Sequence, residues 1–403
     1  MKPETSCLLP WINLSTDVDG SLRPCCKFAH PNPANEYQLP NMKEGTLDAL
    51  WNDQRFQNLR QAFLDGKKPK ECQTCWDEDA SGVDSFRTTF VKYKNISLRG
   101  IKLTPYVTTG PKSIDLKLNN VCNLKCRICG PQASSTFLKE HQEQFNIKFE
   151  GSDYWLSNKI LGTANESVLN KWAKDLLHIE MTGGEPMASP ENIRVLELLV
   201  NSKRAKNISI TVNTNGTLYN RKFINLLTQF KHVTICLSID DIGERFEYER
   251  YPAEWSTIQE NLQKFTKLEL ANNNVLLNLF VTVSIYNVYY LQEYLNWSKQ
   301  FNIHVRFNIL HYDAHKSIKN LPASLKEIVD LKLESSNFDN IKNLTSFDEI
   351  KNFLHLPCEN KNLIQEFITN TIALDKFRKQ SFKDTFGTWG SLIMEYQDES
   401  TNS

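Results

Sequence analysis

Three cysteines within eight residues constrain this chain more than any other feature of its sequence. Cys122, Cys126 and Cys129 follow the spacing C-x3-C-x2-C, directly after an alternating apolar run over residues 114–118 that predicts a strand. Thiolates this close together, on a loop that leaves a strand, can converge on one soft metal centre. A four-iron cluster with three protein ligands keeps one iron open for a small molecule. The alternative is three cysteines that bind no metal.

The composition excludes several classes of protein. The chain of 403 residues can hold one large domain and a smaller one, and its 47 Lys and Arg residues balance 47 Asp and Glu residues. A net charge of zero argues against a nucleic-acid partner. The N-terminus has no apolar signal segment, and no stretch approaches the ~20 apolar residues that span a bilayer, so we expect a cytoplasmic protein without a membrane partner. Eight of its ten cysteines precede residue 130, and metal or redox chemistry explains them better than disulfides.

A second group of cysteines lies in the first 80 residues. Four thiolates come from three separate loops: Cys7, Cys25 or Cys26, Cys72 and Cys75. Between them, the apolar periodicity predicts a helix from Thr46 to Asp65, with Thr46 as N-cap and Gly66 as stop signal. Four thiolates suit a tetrahedral zinc ion or an iron–sulfur cluster, and spacing alone does not decide between them.

From residue 112 onwards, predicted strands and helices alternate, as in βα units around a parallel sheet. The predicted strands are Ser113–Leu118, His178–Met181, Ile208–Asn213, Val233–Ile239, Leu277–Ser284 and His304–Leu310. The predicted helices between them include Pro190–Asn201, Arg221–Phe230, Glu254–Leu268 and Val288–Gln300. Six parallel strands fit a partial (β/α)6 TIM-like barrel, in which active-site groups lie at the carboxyl ends of the strands.

The remaining segments complete an α/β chain. We expect a cysteine-rich N-terminal module (1–80), a linker (81–111), the barrel (112–320), a C-terminal helical extension (321–396) and a disordered tail (397–403). The linker is predicted to contain β-like pieces at Phe86–Val91 and Ile101–Val107. The extension is predicted to form helices at Leu325–Leu333, Phe347–Leu354, Asn362–Phe377 and Phe382–Tyr396. An insertion from about residue 140 to 170 is either a lid or an extended loop.

Two motifs together make the chain resemble the radical S-adenosylmethionine (radical SAM) enzymes. The first is the C-x3-C-x2-C loop, and the second is the stretch Gly183-Gly184-Glu185-Pro186 after the second barrel strand. Alone, Gly-Gly-Glu-Pro suits an ordinary turn, but in this position it matches the family's GGEP motif. The resemblance implies that Cys122, Cys126 and Cys129 hold a [4Fe–4S] cluster whose open iron chelates SAM. It also implies that Gly183, Gly184 and Glu185 engage the methionine amino end of SAM.

The same resemblance implies further SAM contacts at the strand ends. Asn213 and Asn215 end the third strand and Ser238 ends the fourth, where the family's Asn or Ser meets the ribose or the carboxylate. Asn-Gly is also ordinary turn chemistry. Arg250 stands where the family often has an arginine that faces the SAM carboxylate, with a solvated helix charge as the alternative. Ile128 replaces the usual aromatic residue before the third cysteine, and its backbone is implied to contact the adenine.

The first segment resembles the twitch module, the shortened relative of the SPASM auxiliary-cluster domain. The similarity rests on C-x2-P-W, D-G-x3-P-C-C, L-W-N and P-x2-C-x2-C-W, which occur in this order between residues 7 and 76. It implies a second [4Fe–4S] cluster on Cys7, Cys25, Cys72 and Cys75. Cys25 is the ligand, and Cys26 a neighbour, because the family's G-x4-C step matches Gly20 to Cys25. In the family this module usually follows the barrel, whereas here it comes first.

Together the resemblances imply an enzyme that reductively cleaves SAM to a 5′-deoxyadenosyl radical and abstracts hydrogen from a substrate. A peptide or protein side chain is the expected substrate, and a small metabolite or nucleotide sugar is the alternative. A flavodoxin- or ferredoxin-type protein is the expected donor of the low-potential electron. Four protein ligands on the auxiliary cluster favour electron transfer over substrate ligation.

Two cysteines and two other functional classes complete the predictions. Cys236 is predicted to be a small buried core residue, and Cys358 either a hydrogen-atom donor near the barrel mouth or an inert thiol. A non-catalytic iron–sulfur or zinc protein would bind a partner through its cysteine-rich head and would not bind SAM. A methylthiolating or nucleic-acid-modifying enzyme is expected to carry a basic RNA-binding segment, which this sequence lacks.

Overall fold

The structure, a computed structural model, describes residues 5–28, 38–80, 85–94, 96–98, 100–145, 163–310, 313–334, 347–358, 360 and 362–396. The tail at 397–403 and the central part of the insertion, residues 146–162, lie outside the described residues. Among the described helices, none is long and apolar enough to cross a membrane.

Among the described residues, eight strands form one sheet. They are β1 (Asn13–Thr16), β2 (Leu22–Arg23), β3 (Ser113–Leu116), β4 (His178–Met181), β5 (Ser209–Thr214), β6 (His232–Ser238), β7 (Val275–Val283) and β8 (His304–Ile309). Their order is β2-β1-β3-β4-β5-β6-β7-β8, and every neighbouring pair is parallel except β1 and β2. All six predicted barrel strands are present within two residues of their predicted bounds. The partial TIM-like barrel is therefore confirmed.

Helices precede, connect and follow these strands. They are α1 (Leu9–Ile12), α2 (Leu47–Trp51), α3 (Gln54–Leu64), α4 (Gln73–Ala80), α5 (Phe86–Tyr93), α6 (Ser135–Phe145), α7 (Thr163–Trp172), α8 (Pro190–Asn201), α9 (Arg221–Leu227), α10 (Gly243–Glu249), α11 (Trp255–Ala271), α12 (Leu291–Ser298), α13 (Ala323–Glu334), α14 (Phe347–Leu354), α15 (Leu363–Arg378) and α16 (Phe382–Met394). The helices predicted in the barrel and in the C-terminal extension are present, with shifts at some ends.

Each barrel strand has one apolar and one polar face. In β4, Ile179 and Met181 are buried in the main apolar core, whereas His178 and Glu180 line a cavity on the opposite face. The parallel register places Glu180 beside Asp115 of β3 on one side and beside Thr211 of β5 on the other. The partial barrel therefore surrounds polar side chains.

The N-terminal segment belongs to the same sheet, which the sequence did not predict. β1 pairs in parallel with β3, with Leu14 opposite Ile114. The predicted helix from 46 to 65 is divided into α2 and α3, because Asp53 caps a new helix by accepting a hydrogen bond from Arg55 N. Thr46 caps α2 as predicted, through Ala49 N.

The linker prediction was wrong in its secondary structure. The stretch predicted as β-like at Phe86–Val91 lies within helix α5, and Ile101–Val107 contains no strand. Thr88, Thr89 and Val91 favour strands by propensity. However, Phe86 and Phe90 contact each other edge to face one helical turn apart, with their ring centroids separated by 5.1 Å. Phe90 is buried in the apolar cluster of the N-terminal segment. Tertiary packing on a helical face therefore overrides the local β-propensity.

Candidate functional site

The C-x3-C-x2-C motif lies on the loop between β3 and α6. Cys126 is buried, and Cys122 and Cys129 are half-buried. Burial raises the pKa of the Cys122 thiol to about 12. A hydrogen bond shared with Cys129, together with burial, raises the pKa of Cys126. The hydrogen bond from Cys126 instead lowers the pKa of Cys129. The protein surroundings alone thus favour neutral thiols at Cys122 and Cys126, where thiolates need a positive centre such as iron ions. The three thiols fit a cluster that holds such a charge.

Neighbouring segments fix the backbone of this loop. Lys125 N donates to Tyr251 O at 2.6 Å, and Arg127 N donates to Glu249 O at 2.7 Å. On the other side, Leu124 O accepts a hydrogen bond from Ser134 Oγ at 2.5 Å. Hydrogen bonds at every second residue hold the loop in one conformation, with Cys126 between Lys125 and Arg127.

The two glycines of the GGEP motif allow the loop after β4 to lie against the cysteine loop. A Cβ on Gly184 would lie 2.2 Å from Val121 O, which is a steric clash for any other residue at this position. A Cβ on Gly183 would lie 2.9 Å from Asn119 O, and the φ of Gly183 is 104°. Close approach of two backbones therefore explains both glycines, independently of any ligand.

Glu185 joins the ends of two strands. Its buried carboxylate accepts hydrogen bonds from Thr214 Oγ1 at 2.8 Å, Asn215 N at 2.7 Å and Met187 N at 3.0 Å. Burial raises its pKa, and these hydrogen bonds oppose the increase. The Asn215 side chain then reaches the cysteine loop, with Nδ2 3.9 Å from Cys122 Sγ. Glu185 thus orients Asn215 beside Cys122, and its contact with SAM stays a prediction.

Arg250 lies near the cysteines but is already paired. Its buried guanidinium contacts Asp240, with Nη2 2.6 Å from Oδ2. Asp240 follows the end of β6, two residues after Ser238, and also accepts a hydrogen bond from Thr282 N at 2.8 Å. Sequence reasoning missed Asp240, although an acid just past a barrel strand is a signal for a site residue. SAM contacts of Arg250, Ser238 and the buried Ile128 stay predictions.

The polar faces of the strands surround a cavity of about 800 Å³. Strand residues that line it include Asp115, Glu180, Asn213, Cys236, Asn278 and Arg306. Cys26, Phe86, Phe90 and Lys94 line it from the N-terminal segment and α5. Cys236 is a small buried residue, as predicted, and it also lines this polar cavity. Residues that face the core and residues that face the cavity alternate along β6. The sequence alone did not reveal that Cys236 is on the cavity side.

A charged group inside the cavity connects α5 to the barrel. Lys94 Nζ donates to Glu180 Oε2 at 2.7 Å, and Asn213 Nδ2 lies 3.3 Å from Glu180 Oε1. Burial would raise the pKa of Glu180, but Lys94 and His178 outweigh it and lower that pKa. Burial also raises the pKa of Asp115 to about 6, against the effect of Lys117. Polar residues at every second position of β3, β4 and β5 were the pattern in the sequence that could have predicted these cavity residues.

The four thiols expected around an auxiliary cluster lie together. Burial is the main cause that raises the pKa of Cys7, to about 12, and that of Cys25, Cys72 and Cys75. The pKa of Cys25 is raised further by the other three thiols of the set. Cys26 is exposed and lines the cavity instead. Cys25 rather than Cys26 thus joins this group.

Cys358 is not brought to the cavity. Its side chain is exposed, and Sγ contacts Asn360 O at 3.3 Å and Asn320 O at 3.8 Å.

All ten cysteines are free. Within the described ranges, no three His, Cys, Asp or Glu side chains are arranged to hold a single metal ion.

Two family models match this sequence. Residues 7–76 match SPASM, an iron-sulfur cluster-binding domain, and residues 116–284 match the radical SAM superfamily. The first match decides the open question between zinc and iron in favour of iron. The cofactors are thus a SAM-binding [4Fe–4S] cluster with SAM, and an auxiliary iron–sulfur cluster.

Solved structures similar to this chain include SAM-binding proteins. One is anSMEcpe with bound AdoMet, at 19% identity and a TM-score of 0.40, over 58% of this chain and 64% of that chain. Another is SuiB from Streptococcus suis bound to S-adenosylmethionine, at 13% identity and a TM-score of 0.37, over 74% and 62%. SuiB bound to the precursor peptide SuiA is similar at 13% identity and a TM-score of 0.35, over 87% and 63%. The match spans less than two thirds of each of these proteins. No curated protein matches the sequence.

Proposed function

Because the chain belongs to the radical SAM superfamily and carries an N-terminal SPASM domain, we propose that it abstracts hydrogen from a peptide or protein side chain bound in the polar cavity. The proposal assigns the SAM-binding cluster to Cys122, Cys126 and Cys129, and the auxiliary cluster to Cys7, Cys25, Cys72 and Cys75. When bound, the first cluster and SAM supply a 5′-deoxyadenosyl radical.

The observation that carries the proposal is the position of the cavity relative to the two cysteine groups. Asn213, at the end of β5, lines the cavity two residues before Asn215, whose side chain lies beside Cys122. Cys26 lines it next to Cys25 of the auxiliary group. A side chain inserted into this cavity is bordered by elements of both groups. Such an arrangement suits a reaction that uses both cofactors on one substrate.

The cavity contains a carboxylate that can accept a proton from the substrate. Oxidation of a carbon radical releases one proton together with one electron, and a nearby base must accept that proton. Asp115 has a pKa of about 6, raised by burial, and accepts a hydrogen bond from Thr182 Oγ1 at 3.0 Å. Glu180, on the adjacent strand position, forms an ion pair with Lys94. We assign Asp115 as the proton acceptor and the Lys94–Glu180 pair as groups that orient the substrate.

Two further parts of the proposal concern the surroundings of the enzyme. Ten free cysteines suit a reducing cytoplasm, which is where we place the protein. Reduction of the SAM-binding cluster needs a low-potential electron, and we propose a flavodoxin- or ferredoxin-type donor.

The test is anaerobic reconstitution of the full chain, with iron and 5′-deoxyadenosine measured after addition of SAM and reductant. We expect about eight irons, falling to about four in a Cys122/Cys126/Cys129→Ala variant that forms no 5′-deoxyadenosine. A second variant, Cys358→Ala, is the matched control and should keep both values.

Deuterium transfer identifies the substrate class. Peptides encoded by neighbouring genes, produced with deuterated side chains, are expected to pass deuterium into 5′-deoxyadenosine. Transfer only from a deuterated metabolite or nucleotide-sugar fraction would replace the peptide with the small-molecule class. SAM cleavage that survives in the triple variant would overturn the assignment of the cluster.

A further inference from the structure

We propose that helix α15 of the C-terminal extension is part of the SAM-cluster site, with Asp375 and Arg378 as positioning residues for the cysteine loop. The proposal rests on the assignment of the cluster to Cys122, Cys126 and Cys129, and it is independent of the substrate. The sequence predicts only that these residues form a C-terminal helical extension. The structure instead brings two charged side chains of α15 to both residues that flank Cys126.

Asp375 pairs with the residue that follows Cys126. The Arg127 guanidinium is completely buried, and its Nη2 donates to Asp375 Oδ1 at 2.5 Å and to Gln380 Oε1 at 3.0 Å. Its other face stacks on Tyr248, with Cζ 3.7 Å from the ring centroid. The Tyr248 hydroxyl in turn donates to Asp375 Oδ1 at 2.7 Å. One carboxylate thus holds both the arginine of the loop and the aromatic ring beneath it.

Arg378 binds the residue that precedes Cys126. Its Nη2 donates to Lys125 O at 2.7 Å and to Glu140 Oε1 at 2.5 Å. Glu140 lies on α6, the helix that follows the cysteine loop, and its side chain is 2% exposed. Arg378 therefore ties the backbone between Cys122 and Cys126 to the helix that begins after Cys129.

These side-chain contacts add to the backbone hydrogen bonds of the loop. The amide groups of Lys125 and Arg127 donate to Tyr251 O and Glu249 O, as described above. The loop is thus held between the end of α10 and the end of α15. Because Asp375 also accepts a hydrogen bond from Phe382 N at 2.6 Å, the start of α16 is fixed by the same carboxylate.

The pairing has an electrostatic consequence for the cluster. Arg127 places a buried positive charge next to the ligand Cys126, and Asp375 balances that charge. Without the carboxylate, the uncompensated arginine stabilises the more negative, reduced form of a nearby cluster. Neutralising Asp375 therefore shifts the reduction potential upward, which a purely structural role in the helical extension would not do.

The experiment uses the full, anaerobically reconstituted protein and three variants. Asp375→Asn removes the charge with little change of shape. Arg378→Lys keeps the charge but loses the planar guanidinium that contacts both Lys125 O and Glu140. Glu366→Gln changes an exposed acid on the same helix and is the matched control. Redox titration followed by electron paramagnetic resonance gives the potential of the cluster whose signal SAM alters. Iron release to a chelator gives its lifetime.

We expect Asp375→Asn to raise the potential and to release iron from the SAM-sensitive cluster several-fold faster. Arg378→Lys should accelerate iron release with the potential unchanged, and Glu366→Gln should match the wild type. A wild-type potential and lifetime in Asp375→Asn would overturn the proposal, even if its melting temperature falls. If that variant does not fold, wild-type iron release in Arg378→Lys overturns it. Iron and potential are read without substrate, so failure of the proposed reaction leaves this test intact.

Discussion

At the scale of single residues, His178 shows how the polar cavity affects stability. Its imidazole contacts Thr211 Oγ1 at 3.1 Å and lies 3.5 Å from Lys94 Nζ, beside Glu180. Burial, and then the charge of Lys94, lowers its pKa to about 3. The folded protein therefore keeps His178 neutral at a pH where the unfolded chain, with a pKa of about 6.5, binds a proton. The stability that this difference provides is complete above pH 6.5 and is lost as the pH falls from there towards 3.

We predict that His178→Gln flattens the pH dependence of unfolding. Below pH 6.5 the wild-type free energy of unfolding should fall by ~1.4 kcal/mol per pH unit from this residue alone, because only the unfolded state takes up the proton. Urea unfolding of the apo protein between pH 7 and 5 measures this slope. His355→Gln, at a half-exposed histidine on the surface, is the control and should keep the wild-type slope. Equal slopes in the wild type and His178→Gln would contradict the explanation.

The residues of the site differ in how far the sequence could predict them. Cys122, Cys126 and Cys129 are neighbours in the chain, so their spacing alone predicted a common centre. The cysteines of the N-terminal group lie further apart, yet their motif also separated Cys25 from Cys26. Asp375 is 248 residues from Arg127, and no local pattern connects the two. Local chemistry is readable from the sequence, whereas partners brought together by folding are not.

At the scale of elements, the parallel strands of the barrel were predicted well because apolar residues alternate along each of them and helices lie between them. The pairing of the short strand β1 with the barrel sheet and the helix α5 were not predicted, since each depends on a partner distant in sequence. β1 has four residues, all of them buried, and its pairing with β3 is what identifies it as part of the barrel sheet. The division between α2 and α3 depends on a single cap at Asp53.

Arg60 of α3 provides a test of how these elements are joined. Its completely buried guanidinium donates to the carbonyl oxygens of Pro10 at 2.8 Å, Trp51 at 2.8 Å and Pro105 at 3.0 Å. It therefore connects α1, the end of α2 and the linker. Arg60→Met keeps much of the volume but leaves buried carbonyls without donors. We predict a loss of about 3 kcal/mol or more in the free energy of unfolding.

Gln61→Met is the matched control for this prediction, because Gln61 is the next residue of the same helix and is exposed. It should change the free energy of unfolding by less than about 0.5 kcal/mol. Urea titration of both apo variants measures the difference. Equal stabilities would mean that the N-terminal elements are held by their apolar contacts alone.

At the scale of the whole molecule, the sheet crosses the predicted boundary between the N-terminal module and the barrel. β1 completes one edge of β3, and Leu177, just before β4, packs on the apolar cluster of the N-terminal segment. Lys94 supplies the cation for Glu180 inside the barrel. The first 111 residues thus provide a strand, an apolar surface and a buried charge to the barrel, so the two predicted domains should fold as one unit.

We therefore predict that a chain shortened to residues 112–403 does not form native tertiary structure. It would expose the edge of β3 and leave Glu180 without its cation. Near-UV circular dichroism and the cooperativity of urea unfolding measure the outcome. Full-length Cys72→Ser keeps β1 but lacks one auxiliary thiol, so it should unfold cooperatively and separates the loss of the strand from the loss of the cluster. A 112–403 chain that unfolds cooperatively and binds about four irons would show instead that the N-terminal segment is an independent module.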